Sequence, residues 1–259
     1  MQDTWLAHPL TRGLLIDDPQ TTILRRQIIQ KKKFLRLIYQ EWYASIAAAL
    51  PGGTEPVLEL GSGAGFLKEV LPGLITSEIF WLPGVKAVLD GQELPLASET
   101  LQGIVMINVL HHLPRPRRFF TEASRCLRPG GVMVMIEPWV TAWSRFIYGR
   151  LHQEPFWPEA DTWEFPSQGP LSGANAALPW IIFARDRAIF AQEFPQLHLQ
   201  KIELGLPFRY LFSGGMSRLC LAPAWSFGFW QRLERLLQPL MPKLAMFAQI
   251  ELVKITGEA

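Results

Sequence analysis

A glycine-rich turn, two adjacent histidines and a few acids at spaced positions carry the chemistry available to this sequence. Glu59-Leu60-Gly61-Ser62-Gly63-Ala64-Gly65 follows the apolar run that begins at Val57. Glycines in such a turn let the backbone approach a ligand closely. Phe66 to Leu71 reads as a helix start, and a helix amino terminus there favours a carboxylate or phosphate. A dinucleotide fingerprint of the form GxGxxG requires glycine at position 66, where Phe66 stands. The spacing is therefore GxGxG, and a nicotinamide cofactor is disfavoured. His111 and His112 have the chemistry of a general base near neutral pH. A structural role is the plainer reading of the pair, and His111 is the better candidate for catalysis. Glu137-Pro138 ends a later apolar run on the same rim, where Glu137 either faces an acceptor or caps a loop.

The elements that must position these groups follow from periodicity. Ile23, Leu24, Ile28, Phe34, Leu35, Ile38, Trp42 and Ile46 recur at three- and four-residue spacing and predict one helix over 20–50, ended by Pro51-Gly52-Gly53. Short apolar runs at 56–60, 74–80, 85–89, 103–109 and 132–136 read as strands. Runs this apolar suit a parallel sheet covered on both faces. Residues 117–127 supply one covering helix, closed by Arg128-Pro129-Gly130-Gly131. Between Trp139 and Trp180 the pattern changes to tryptophan with Pro155, Pro158, Pro166, Pro170 and Pro179 and little periodicity, which reads as an insert or lid. A helix at 185–194 and strands at 198–204 and 247–255 complete the expectation.

Bulk properties narrow the function classes. With 49% hydrophobic and 19% charged residues, the 259-residue chain can bury a sizeable core in one domain. A net charge of +2 with scattered basic residues, apart from Lys31-Lys32-Lys33, offers no broad phosphate-binding stripe, so nucleic acid is not an expected partner. Cys126 and Cys220 stand in no disulfide or metal-ligand spacing. The sequence accordingly yields no metal cluster and fits a reducing cytoplasm. Met1-Gln2-Asp3-Thr4-Trp5 lacks the pattern of a secretory signal, and prolines interrupt the apolar stretches near the carboxyl end, so no transmembrane span is expected.

Together the motifs resemble those of the class I S-adenosylmethionine-dependent methyltransferases, of the type-11 group. Beyond residues 57–65, the likeness rests on Thr76-Ser77-Glu78, Val88-Leu89-Asp90 with Leu94-Pro95, Asn108-Val109-Leu110-His111-His112-Leu113 and Leu127-Arg128-Pro129-Gly130-Gly131. It covers roughly residues 55–140. Leu101-Gln102 departs from it, since the family usually has an aromatic followed by aspartate there. The resemblance implies a Rossmann-like, doubly wound, mostly parallel seven-stranded sheet with an antiparallel last strand. It also implies a helical cap over 1–50, a cofactor core over 51–140, an insert over 141–195 and terminal strands and helices over 196–259.

By the same resemblance, Glu59 fixes the methionine end of the cofactor, Gly61, Ser62, Gly63 and Gly65 make room for it, and Glu78 holds the ribose hydroxyls. A carboxylate accepting two hydroxyl donors is a strong, charge-assisted arrangement. Asp90 with Gly91 would meet the adenine, and Asn108 completes the cofactor set. His111 and Glu137 are the catalytic candidates. The implied cofactor is S-adenosylmethionine, with S-adenosylhomocysteine as product.

The implied acceptor is small or lipid-like and apolar. Candidates for its pocket are the tryptophans Trp139, Trp143, Trp157 and Trp163. The stretch Trp225 to Trp230, with Leu233, Leu236, Leu237 and Leu240, either lines the acceptor site, touches a membrane surface peripherally or packs as core. The competing readings are a cofactor-binding partner subunit without transferase activity and another nucleotide-binding α/β enzyme such as a dehydrogenase.

Overall fold

In a computed structural model, described here for residues 8–255 except 12, 16, 152, 153, 168 and 170, the chain forms one seven-stranded sheet. The amino-terminal pentapeptide and Pro170 lie outside the described residues. The strands are β1 (Val57–Leu60), β2 (Ile75–Glu78), β3 (Ala87–Val88), β4 (Leu101–Ile107), β5 (Leu127–Pro138), β6 (Leu197–Gly205) and β7 (Phe247–Lys254). Their order is β3-β2-β1-β4-β5-β7-β6. The first five run parallel, and β7 is antiparallel to both β5 and β6. This is a Rossmann-like doubly wound sheet. The chain reverses its direction of travel between β1 and β4, and ligands of open α/β sheets sit at the carboxyl ends of strands beside such a switch.

Alternation along each strand builds two cores. Leu58, Leu60, Ile104, Met106, Met133, Met135, Ile250 and Leu252 face one side, where Phe119 and Phe120 of α3 (Pro116–Cys126) cover them. Val105, Val132, Val134, Ile136 and Phe247 face the other, under Ile38, Trp42, Tyr43 and Ile46 of α2 (Lys33–Ala49). Burial on both faces explains why these strands read as continuous apolar runs.

The single helix expected over 20–50 is two helices. α1 spans Pro19–Lys31, with Asp18 accepting a hydrogen bond from the Gln20 amide (2.8 Å) at its start. Lys32 then leaves helical geometry at φ −83°, ψ 86°. Its ammonium donates to the carbonyls of Gly215 (2.5 Å) and Arg218 (2.8 Å), so a long-range contact accompanies the break. A second expectation also fails: after the glycine turn there is one 3-10 turn at Leu67–Glu69 and no α-helix. Pro72-Gly73 stops the segment before a helix can propagate, since proline blocks continuation and a short helix nucleates poorly. No helix dipole stands behind the turn, and the anion-binding argument from it lapses.

Within 139–180 the chain is more regular than its proline content suggests. It contains α4 (Ala142–Leu151) and α5 (Leu178–Trp180), which a π-type turn at Ile181–Arg185 joins to α6 (Arg187–Glu193). The remaining helices are α7 (Arg209–Ser213), α8 (Phe227–Leu236) and α9 (Met241–Leu244). Among the described residues no helix is long and apolar enough to cross a membrane.

Candidate functional site

A cavity of about 720 Å³ opens at the carboxyl ends of β1, β2 and β4. Glu59, Gly61, Ser62, Gly63, Gly65, Glu78, Asp90, Gly91, Asn108 and His111 all line it, so nearly every residue singled out in the sequence converges on one space. Glu137 does not line it.

The glycine turn is shaped by its neighbours. Gly61 has φ +66°, and a β-carbon there would collide with the Val109 side chain. Gly63 has φ +24°, and a β-carbon would stand 2.7 Å from a Glu78 carboxylate oxygen and 3.2 Å from the Thr22 methyl of α1. Ser62 ties the turn to β2: its amide donates to the Ser77 carbonyl (2.8 Å), and its hydroxyl accepts from the Ser77 amide (3.0 Å). Tyr43 of α2 holds the far side, its hydroxyl oxygen accepting from the Phe66 amide at 2.9 Å. Sequence reading missed Tyr43, because an aromatic on a helical stripe looks like core.

Two buried carboxylates face this turn. Burial pushes the Glu59 carboxyl up to about 7, against a hydrogen bond from Ser62 and with the help of the nearby Glu78 charge. Burial also raises Glu78, opposed by the amides of Ile79 (3.0 Å) and Gly63. Among the described residues neither makes an ion pair, a state suited to a cationic or hydroxyl-rich ligand. Asp90 lines the cavity while its carboxylate accepts from the amide (2.9 Å) and side chain (3.1 Å) of Gln92, forming a local turn. Gly91 packs tightly under Leu60 and Phe119. Asn108 adopts φ +56°, an uncommon conformation for a residue with a side chain, and its amide donates to the Ile136 carbonyl.

Glu137 is fully buried and behaves as a cap. One carboxylate oxygen accepts from the amides of Val109 and Leu110, both at 2.8 Å, and the other lies 2.6 Å from His111 Nδ1. Burial opposes charge on His111, but Glu137 and Glu154 overcome it and push the ring up to about 9. A ring protonated at neutral pH lacks the lone pair of a base. His112 moves the other way, to about 4, through burial and the adjacent His111 charge, while its Nδ1 bonds the Gly173 carbonyl (3.1 Å).

The rest of the wall was not legible as such. All four tyrosines of the chain, Tyr39, Tyr43, Tyr148 and Tyr210, line the cavity. Of the tryptophans proposed for an acceptor pocket none does: Trp139 and Trp163 are buried in the core, Trp143 donates to the Pro207 carbonyl, and Trp157 is exposed. The stretch 225–240 likewise stays outside the cavity, with Trp225 (86% exposed), Phe229 and Leu236 facing outward. Arg25 lines the cavity too, and its buried Nε has no hydrogen-bond partner among the described residues. Residues 13–15, 167, 169, 171–172 and 214–218 also line it, and the Leu171 amide donates to Asp17 (2.6 Å).

Residues 58–135 match a family described as a methyltransferase domain. Over that stretch the chain resembles the class I S-adenosylmethionine-dependent methyltransferases. The cofactor of this class is S-adenosylmethionine. Over 53 residues the chain is 38% identical to an uncharacterized methyltransferase from Mycobacterium bovis, an alignment that spans only 20% of this chain and 21% of the relative. Two solved structures share the fold along nearly the whole chain. One is geranyl diphosphate C-methyltransferase from Streptomyces coelicolor A3(2), crystallised with Mg2+, geranyl diphosphate and S-adenosylhomocysteine. It is 13% identical, with a TM-score of 0.52 over 96% of this chain and 92% of that one. The other is a chain from a Haloferax volcanii complex that contains the Trm112 methyltransferase activator. It is 12% identical, with a TM-score of 0.53 over 95% of this chain and 100% of that one.

Proposed function

We infer that the protein transfers the methyl group of S-adenosylmethionine to a small or lipid-like, largely apolar acceptor. The observation that carries this reading is that Glu59, the glycine turn, Glu78 and the four tyrosines line one cavity. The fit is physical: Gly63 leaves open a space that a β-carbon would fill against Glu78, and among the described residues the two buried carboxylates form no ion pair. Bound there, the cofactor supplies a methyl group already activated by its sulfonium, which an acceptor lone pair takes as the carbon–sulfur electron pair returns to sulfur.

In this assignment Glu59 accepts hydrogen bonds from the cofactor's ammonium, and Glu78 accepts from the ribose hydroxyls. Arg25, with its unpartnered Nε, takes the methionine carboxylate. Asp90, Gly91 and Asn108 bound the adenine end. Glu137 and His111 position the loop after β4, and alignment and water exclusion supply the acceleration. Glu154, Pro155, Leu171 and Ala174 of the expected insert cover the acceptor side. The outward-facing Trp225, Phe229 and Leu236 favour contact with a partner or membrane surface, which is also where a non-catalytic, partner-binding role would act.

Calorimetry with S-adenosylmethionine, S-adenosylhomocysteine and NAD tests the first step: the two adenosyl ligands are expected to bind and NAD is not. A labelled-methyl screen against extracted small molecules and lipids tests the second, and binding without any transfer would favour the partner-subunit reading.

The electrostatics add a pH signature. Glu59 must be ionised to accept from an ammonium, and in the free protein it titrates near 7. Binding therefore releases a proton below that value. Affinity for S-adenosylmethionine is expected to rise by up to about tenfold per pH unit between pH 5 and 7, then level off. Glu59→Gln is expected to weaken binding and flatten the profile. Calorimetry in buffers of different ionisation enthalpy reads the proton release directly, and a flat wild-type profile would remove Glu59 from the ligand's contacts.

A further inference from the structure

Beside the space assigned to the methyl donor, the cavity wall brings together three groups that the proposed reaction leaves unused as ligands. His111 and His112 end the 3-10 turn Leu110–His112 after β4, and Glu154 follows α4; all three line the cavity. One ligand atom from each lies within 4.8 Å of the others. His111 Nε2 is 3.4 Å from one Glu154 oxygen, and His112 Nε2 is 4.0 Å from the other. Around a tetrahedral zinc ion with bonds near 2.0 Å, ligand atoms are separated by about 3.3 Å, so closing this triangle requires only small side-chain shifts.

The opposite edges of the two rings determine which atoms can bind. His112 Nδ1 faces the Gly173 carbonyl at 3.1 Å, and a carbonyl can only accept, so Nδ1 carries the hydrogen. His111 Nδ1 faces the Glu137 carboxylate at 2.6 Å, where the same argument holds. In the neutral tautomers both Nε2 lone pairs then point toward Glu154. Once His111 gives up its second proton, two imidazole lone pairs and a carboxylate converge on one place, a donor set suited to a divalent cation. A histidine that binds metal characteristically donates its other N–H to a carboxylate or backbone carbonyl, and here both rings do so.

We propose that His111, His112 and Glu154 bind one divalent metal ion of the zinc type, which holds the acceptor's oxygen against the methyl donor. Two imidazoles and one carboxylate suit zinc and its first-row neighbours, whereas magnesium and calcium prefer oxygen ligands throughout. Three protein ligands leave a position open to the cavity. An acceptor hydroxyl bound there loses its proton to solvent more readily, because the ion stabilises the oxyanion. The oxygen lone pair then forms the oxygen–carbon bond as the carbon–sulfur pair passes to sulfur. The role rests on the methyl-transfer reading; the binding of the ion does not.

The test uses the full-length, untagged chain, stripped with a chelator and titrated with zinc chloride alone, with uptake counted by elemental analysis. The expected result is one zinc per chain. His112→Ala and Glu154→Gln are each expected to weaken binding by about 100-fold or more. Their melting temperatures and affinity for S-adenosylmethionine should stay close to wild type. Should His112→Ala fail to fold, the half-buried Glu154→Gln decides alone. Magnesium chloride alone is expected to bind at least about 100-fold more weakly than zinc, in line with the donor set.

A chain that takes up no stoichiometric zinc, zinc retained in both variants, or magnesium binding as tightly as zinc would each overturn the proposal. The first result would leave the cluster as a proton shared between His111 and Glu154. Zinc bound without S-adenosylmethionine would sink the methyl-transfer reading and spare the metal site. The cofactor bound without zinc would do the reverse.

Discussion

Replacing Gly63 by valine is expected to eliminate measurable binding of S-adenosylmethionine while leaving the chain folded. The added β-carbon would stand 2.7 Å from the Glu78 carboxylate and 3.2 Å from Thr22, and the branched methyls extend into the cavity. Glu78 would have to swing away from the position assigned to the ribose. The backbone contributes separately: at φ +24° a β-branched residue is strained, at a cost of about 1–3 kcal/mol. That lowers the melting temperature without unfolding a domain whose cores lie on both faces of the sheet. Gly63→Ala should fall between valine and wild type. Calorimetry beside a thermal melt separates the two contributions, and unchanged affinity in a folded Gly63→Val protein would displace the cofactor from this turn.

Glu137→Ala is expected to produce the largest loss of stability. The substitution strands the amides of Val109 and Leu110, both served by one carboxylate oxygen, and removes the partner of the buried His111. Removing one member of a buried, hydrogen-bonded charged pair typically costs about 3–5 kcal/mol. For a chain of this size that corresponds to a melting-temperature drop of roughly 10 °C. Denaturant and thermal unfolding measure it. A change below about 1 kcal/mol would mean that the loop after β4 holds its shape without the carboxylate, against the typical cost of unsatisfied buried amides. Glu137→Gln retains an acceptor for the amides and should recover part of the loss.

The parts of the molecule that were legible in the sequence are those whose physics is local. A strand buried on both faces must be apolar at most positions, so the runs beginning at Val57, Gly103 and Val132 announced themselves, as did the glycines between Glu59 and Phe66. What escaped depends on distant partners. Phe66 to Leu71 has a helical look, and Pro72-Gly73 ends it after one turn. Lys32 reads as a helix residue until the carbonyls of Gly215 and Arg218 come into view.

The wall of the cavity was misjudged for a similar reason. Tryptophan density drew attention to 139–180, yet those rings went to core or surface, and the tyrosines took the wall. Tyrosine suits such a place because its ring packs against apolar neighbours while its hydroxyl bonds a chain group, as Tyr43 does with the Phe66 amide and Tyr148 with the Met246 carbonyl. Glu154 stands in a proline-rich stretch with no periodicity, so nothing linear connects it to His111 and His112.

The Tyr43 contact bears on how this architecture can be divided. The segment that matches a known family begins at residue 58, yet the glycine turn leans on a phenol and a threonine methyl contributed by the two helices that precede it. Cut down to the recognisable stretch, the sheet would retain its glycines and acids but present them as an open trough. Relatives that carry a different leader could then share every motif residue and still grip the nucleoside with different strength, so ligand affinity in such proteins is partly written outside the region by which they are grouped.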